Sequence, residues 1–338
     1  MLNFKHTPYI FFALFVGCST TSDRVFVEHK NVDDKSFVKE FKKSNKLITK
    51  FESKTIKHSK KKNAKKKLKK VKIKRSIANV PTQEQSTYSP LFRRYDEEYE
   101  KAMNLFQPLV EKGEVFVFAV SYFGVTAGHI RLKTLETKEI DGKRAYHFNA
   151  NLRSARFYST FYELNDSIDS YVEVDDFKPL KYSLVQRESA QDVDDLQIFD
   201  HDNFKTHVFY KRLKKGKRKV FQKVIDIPKS FQDSYSAIHF VRGLPLVVGD
   251  YYELPVVTRG KVWLLKAWVD EVEEIEVMGE DTMAIKLRVE THFPGVLAKT
   301  GNIFFWFSDD DKKRLLRFDA KVKIGTISGE LVEYLSGQ

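Results

Sequence analysis

The sequence predicts a mainly β protein: a large curved antiparallel sheet, or an open barrel or sandwich, with an N-terminal helix, one short central helix and a disordered basic arm ahead of them. Three observations predict it. Ile285, Leu287, Val289 and Thr291 alternate with Lys286, Arg288 and Glu290, and Phe318, Ala320, Val322 and Ile324 alternate with Asp319, Lys321 and Lys323. Period-two alternation marks a half-buried antiparallel strand. Seven of residues 114–123 are β-branched or aromatic, on both faces, which suits a strand covered on both sides. Turn signals then recur through the rest of the chain: Asp141-Gly142, Asn165-Asp166, Lys215-Gly216, Met278-Gly279 and Thr300-Gly301.

In chain order, residues 1–17 place Lys5 ahead of about ten apolar residues, the layout of a secretory signal peptide and too short a run for a membrane-spanning helix. Leu14-Phe15-Val16-Gly17-Cys18 resembles the lipobox of bacterial lipoproteins, with Phe15 where leucine is usual. That resemblance implies cleavage before Cys18 and acylation of its thiol and new amino terminus. With Ser19 following, it implies an outer-membrane lipoprotein facing the periplasm. Cys18 is the sole cysteine, so a disulfide framework and a multi-thiolate zinc site are excluded.

The net charge of +13 is unevenly placed. Residues 24–88 carry 21 Lys/Arg and 6 Asp/Glu, a net of +15, whereas residues 89–338 sum to −2. Within this arm, spanning 18–88, an amphipathic helix is expected over 34–52: Phe37, Phe41, Ile48 and Phe51 share one face and lysines fill the other. The apolar face suits a membrane interface, the alternative being that it packs on the folded body. Residues 54–75 hold 12 Lys and one Arg with no acid, a block that repels itself and suits an anionic surface. Lys60, Lys61, Lys62, Lys65, Lys66, Lys67, Lys69 and Lys70 are its candidate contacts. For an exported chain those anions are lipid headgroups, lipopolysaccharide phosphates or a cell-wall polymer rather than nucleic acid.

Ser89-Pro90 suits a helix start, and a helix with its exit is expected over 89–112, interrupted at Pro108 and ended by Gly113. The β-rich domain then spans 113–338. Strands are expected at 114–123, 128–137, 145–152, 157–164, 168–174, 180–188, 196–201, 204–213, 218–227, 261–278, 285–291, 303–307 and 318–324. Between the two runs of strands, Asp233 to Arg242 reads as a short helix capped by Asp233, stopped by Gly243 and followed by Pro245.

Gly113 to Gly128, Asp233-Ser-Tyr-Ser236 through Gly249, Trp306-Phe-Ser308-Asp309-Asp-Asp and Lys321-Val-Lys-Ile-Gly325-Thr-Ile resemble, as a set, the bacterial family catalogued as domain of unknown function 3108. Leu316 stands where that family usually has a proline after the acidic turn. The resemblance covers about residues 113–335 and implies an exported, mainly β domain, with no activity and no site residues to carry over.

Signatures of chemistry are few. Asp200-His201-Asp202 lacks metal-ligand spacing, because adjacent strand residues point to opposite faces. No nucleophile elbow, phosphate-binding glycine loop or dinucleotide fingerprint occurs. No metal or cofactor is expected. Lys211 to Lys219 places seven cations around Gly216, so Lys214, Lys215 and Lys217 are a second candidate contact with an anionic surface. His292-Phe-Pro294-Gly295-Val-Leu297 puts apolar residues at a turn. The expected function is that of a lipid-anchored envelope protein whose domain binds a partner protein or an amphiphile at the membrane without catalysis. The alternatives are a periplasmic carrier of lipid or lipoprotein with an aromatic-lined cavity, and an envelope hydrolase.

Overall fold

The computed structural model describes residues 39, 41, 43, 45–56, 88–291, 302–322 and 325–338. Ahead of the body lie a short helix α1 (Asn45–Lys50) and a two-residue strand β1 (Lys54–Thr55), and helix α2 (Pro90–Met103) opens the body. The first meander runs through β2 (Val115–Tyr122), β3 (Val125–Ile140), β4 (Lys143–Ser154), the short helix α3 (Arg156–Ser159), β5 (Asn165–Glu173), β6 (Pro179–Glu188), β7 (Gln191–Asp200), β8 (Lys205–Lys214) and β9 (Lys217–Asp226). After β10 (Gln232–Asp233) and helix α4 (Ser236–Arg242), the second meander follows. It comprises β11 (Tyr251–Thr258), β12 (Lys261–Val277), β13 (Glu280–Thr291), β14 (Asn302–Ser308), β15 (Leu315–Lys321) and β16 (Thr326–Leu335).

Both meanders belong to one sheet, because β16 pairs with β2. Its order is β10-β11-β12-β13-β14-β15-β16-β2-β3-β4-β5-β6-β7-β8-β9, with β1 beside β3. Every pair in that path is antiparallel except β10–β11. The large curved antiparallel sheet with one short central helix is therefore the fold that the alternation predicted. Strands as long as β3 and β12 bend at register shifts, between Leu135 and Lys138 and between Val269 and Glu271, as bulges do when a sheet curls.

The sheet rolls up without closing. Its β10–β11 side tucks against the inner faces of β5–β8: Ser170 Oγ donates to Asp233 Oδ2 (2.5 Å), and Gly260, in the β11–β12 turn, has its backbone N–H against Gln197 Oε1 (3.4 Å). Helix α4 lies inside the roll, where His239 stacks on Phe148 (3.7 Å between centroids) and Phe240 on Phe106 (4.5 Å). Phe118, Phe148, Phe177, Leu254, Val269 and Phe318 bring both meanders into that one core. Burial of each large apolar side chain contributes about 1.5–3 kcal/mol. The buried Arg242 guanidinium donates through Nη1 and Nη2 to Glu114 Oε2 and Oε1 (2.5 and 2.7 Å), tying α4 to the start of β2.

Four expectations are corrected. Residues 157–164 are not a strand: Ser159 N–H donates to Ala155 O and Tyr162 N–H to Tyr158 O, so α3 and a turn occupy them. Asn165-Asp166 is the start of β5 rather than a turn, because Asp166 takes its hydrogen bonds from β6. Helix α2 stops at Met103 rather than continuing towards Pro108, since Phe106 turns inward to pack on Phe177 and Phe240. Strands β11 and β16 were missed because Pro255 and Gly329 interrupt their patterns. Pro255 lies on a strand whose second neighbour is only the two-residue β10, and Gly329 leaves room for the Phe318 ring.

Gly243 does follow α4 as expected, but for a different reason. Its φ is −81°, so it is not a left-handed cap. A Cβ there would lie 2.6 Å from Gln107 O and closer still to the Phe106 ring. Gly243→Ala should cost about 1–3 kcal/mol through this overpacking; an unchanged urea midpoint would show that Phe106 moves aside freely.

Candidate functional site

Alternation of the strands sorts the connections onto two rims. One rim carries the β2–β3 turn, the α3 connection, and the β6–β7, β8–β9, β11–β12 and β15–β16 turns. The other carries α2, the loops around α4, and the β3–β4, β5–β6, β7–β8, β12–β13 and β14–β15 turns.

The sequence-derived sites fall in three places. Cys18, Phe37, Lys60, Lys61, Lys62, Lys65, Lys66, Lys67, Lys69 and Lys70 lie outside the described residues, as does the turn 292–297. Lys214, Lys215 and Lys217 stand at the β8–β9 turn on the first rim, where Lys215 (φ 48°) and Gly216 (φ 72°) form a tight two-residue hairpin. Phe41, Ile48 and Phe51 do not offer an apolar face to lipid. They are buried with Tyr171, Leu180, Leu196, Ile198 and Phe209 on the outer face of β5–β8. The same spacing that suits a membrane also suits a sheet, and here the sheet covers it. Lys50 adds an ion pair to Asp141 (2.8 Å), and β1 adds backbone pairing to β3. This part of the arm is therefore a strap on the body.

Beneath the first rim, inward-facing polar groups of β5, β6 and β7 meet. Gln186 Nε2 donates to Asp166 Oδ2 (3.0 Å) and Glu188 Oε1 (2.9 Å), the Arg187 backbone N–H donates to Asp166 Oδ1 (3.0 Å), and the Tyr162 hydroxyl donates to Glu188 Oε2 (2.6 Å). Burial, aided by the Glu188 charge, pushes the Asp166 carboxyl up to about 8. Burial also raises Glu188, and it raises Asp195 to about 6 against the pull of Arg259. Arg259 enters from the β11–β12 turn and is itself lowered by burial. Such a cluster can hold protons through the neutral range. Sequence reasoning missed it, since its members are spread over ninety residues and meet only through the roll; Asp194-Asp195 inside a strand pattern was the available signal.

Two histidines resolve simply. His239 is packed in the core, and burial with the nearby Arg242 charge lowers it to about 3. His201 hydrogen-bonds Pro179 O through Nε2 (2.7 Å) in the β7–β8 turn. On the outer face, His147 Nε2 meets Asp169 Oδ1 (2.6 Å) and the ring stacks on Tyr171. Among the described residues, no group of three His, Cys, Asp or Glu side chains is placed to hold a metal ion, and no helix is long and apolar enough to cross a membrane.

The first rim also bares aromatic side chains that fall within the strands expected at 114–123 and 157–164. Phe157 and Phe161 are 71% and 74% exposed, and Phe123 is 65% exposed. The spacing of Phe157 and Phe161, four apart beside Arg156, was the available helical signal.

A family model described as a protein of unknown function, DUF3108, matches residues 117–332. Among solved structures, a β-barrel-like protein of domain of unknown function DUF1849 from Brucella abortus is similar to this chain at 11% identity and a TM-score of 0.45, covering 69% of this chain and 100% of its own. A candidate lipoprotein from Parabacteroides distasonis is similar at 10% identity and a TM-score of 0.30, covering 68% of this chain and 99% of its own. No curated protein matches the chain.

Proposed function

The chain belongs to the DUF3108 family, a family without an assigned activity, and from that premise we propose that it is a lipid-anchored protein of the bacterial cell envelope whose β-roll is a non-catalytic binding module held at the membrane. The strap carries this reading. Phe41, Ile48 and Phe51 fasten the segment that follows the lipobox-like stretch to the outside of the roll, so an anchor at Cys18 would position the body and not merely tether it. The 23 residues from Cys18 to Phe41 reach at most about 80 Å when fully extended, which confines the body to the neighbourhood of its membrane. Lys60 to Lys70 then lie between the strap and α2, where anionic headgroups, lipopolysaccharide phosphates or a wall polymer are the partners within reach. An outer-membrane position facing the periplasm follows from Ser19 after the cysteine.

A carrier is the less favoured reading, because the middle of the roll is filled. Phe148, from the middle of β4, packs with Tyr235 and His239 of the α4 segment at 3.7–6.4 Å between centroids, where a cargo chain would lie.

Cys18→Ala should move the protein from the membrane fraction to the soluble fraction once high salt has screened the lysines. Pelleting that persists at high salt without the cysteine would reject the anchor.

A further inference from the structure

We propose that the rim bearing Phe123, Phe157, Phe161 and the Lys214–Lys217 hairpin is the face of the roll that lies on an anionic lipid surface, with its aromatic side chains in the headgroup region. This rests on the envelope reading above and deepens it, since it names which end of the body meets the membrane.

The aromatic residues form a patch. The Phe157 and Phe161 rings lie 5.6 Å apart in a T-shaped pair, and both remain bare to water although a full core lies one strand layer away. Beside them, the Ala155 N–H donates to Ala127 O (3.2 Å), which ties α3 to β3 directly below the β2–β3 turn that carries Phe123 and the exposed Val125. Tyr122 and Tyr158 pack on Ala127 and Ala155 as a small platform under that patch. An exposed cluster of large apolar side chains marks an interaction surface, and aromatic rings next to cations suit the boundary between water and acyl chains.

Charge selects lipid as the occupant. Along the same rim, beyond β6–β7, the β8–β9 hairpin presents Lys214, Lys215, Lys217 and Arg218, with no acid in the turn. Lys219 and Lys223 sit over the Phe221 ring (5.2 and 5.0 Å), so the hairpin combines cations with an aromatic face. At the opposite rim the exposed charges are mixed: Asp175, Asp176, Asp202, Asp281, Asp309 and Asp311 stand with Lys143, Arg144 and Lys312. The β8–β9 hairpin, with four cations and no acid, is the turn of uniform positive charge that the mixed rim lacks. An anionic bilayer attracts the end with the aromatic patch and the basic hairpin more than the mixed end, which orients the roll as well as binding it.

The sole cysteine makes the test clean. In the full mature chain, Cys18→Ser removes the acylation site, and Phe161→Cys or Val248→Cys then provides one labelling position on the aromatic rim or on the opposite rim. Each variant is labelled with a nitroxide and mixed with vesicles of equal phosphatidylglycerol and phosphatidylcholine. The label at position 161 should become shielded from a water-soluble relaxation agent on binding, while the label at 248 stays accessible. Changing Lys214, Lys215 and Lys217 to Gln should weaken vesicle binding at least tenfold, and pure phosphatidylcholine should bind neither variant. A protein that binds the vesicles while the 161 label stays in water overturns the proposal and leaves the anchor-and-arm reading intact. A dimer that forms without lipid and is lost on changing Phe157 and Phe161 to Ser overturns it in favour of a second copy. Failure of the anchor reading appears separately, as unchanged fractionation of Cys18→Ala.

Discussion

Glu114→Ala should destabilise the protein by about 3–5 kcal/mol, because it strands a buried charge. Glu114 and Arg242 are 1% and 4% exposed. Their two parallel hydrogen bonds are joined by a third from Arg242 Nε to Lys312 O (2.9 Å) and a fourth from the Tyr334 hydroxyl to Glu114 Oε1 (3.1 Å). The guanidinium also lies over the Phe116 ring, 5.4 Å from its centroid. One carboxylate thereby holds together the central helix, the first strand of the body, the β14–β15 turn and the last strand. Removing it leaves the Arg242 fork without a counter-charge. Removing both charges, as Glu114→Leu with Arg242→Met, should restore much of the loss, since two charges no longer need to be desolvated. Urea titrations of the parent, the single variant and the double variant measure this. Equal losses in both variants would show that packing, and not the stranded charge, sets the cost.

The second large effect is on the pH dependence of stability. Asp166 is raised to about 8 by burial and by Glu188. An aspartate in the unfolded chain ionises near 4, so from about pH 4 to 8 the folded state holds a proton that the unfolded state has released. Stability from this group is therefore fully present below about pH 4 and is lost as pH rises through 8. His239 works in the opposite sense. Its folded value is about 3, so its contribution is present above about 6.5 and is lost as pH falls towards 3. Below about 6.5 the two slopes oppose each other, and Asp195, raised to about 6, adds to that of Asp166. Between about 6.5 and 8 Asp166 acts without that opposition, and stability should fall by about 2 kcal/mol. Asp166→Asn should flatten this limb and raise stability at pH 8. Urea midpoints measured at pH 6.5 and 8 decide it, and a flat parent curve would mean that Asp166 ionises inside the fold without cost.

Strands with a period-two pattern were legible residue by residue, as Ile285–Val289 and Phe318–Ala320 show, because one face must be apolar wherever a sheet covers a core. The central helix was legible from Asp233 and Gly243, although Gly243 serves a close approach of Phe106 and not a special backbone angle. What escaped were elements whose local pattern is overruled by a distant partner. Gly329 looks like a break until Phe318 is laid across it. Phe157 to Phe161 looks like a strand until Ala155 is fixed on Ala127. The Phe41, Ile48 and Phe51 stripe was visible, but its partner was not, since amphipathicity states that a face must be covered and does not say by what. The buried carboxyl cluster left only Asp194-Asp195 inside a strand pattern as a trace, as Asp166, Glu188, Asp195 and Arg259 meet only after the roll forms. Composition misled in a similar way: a near-zero sum over residues 89–338 conceals the wholly basic β8–β9 hairpin.

The pairing of β16 with β2 has a consequence for how the chain is made. Those two strands form the seam between the meanders, so the strand of this sheet that comes last in chain order sits in its middle and not at its margin. Until Thr326–Leu335 arrives, each meander keeps a raw inner margin and the shared core stays open. A polypeptide delivered through a membrane as an extended thread would gain from that order, because the sheet cannot finish before β16 is through.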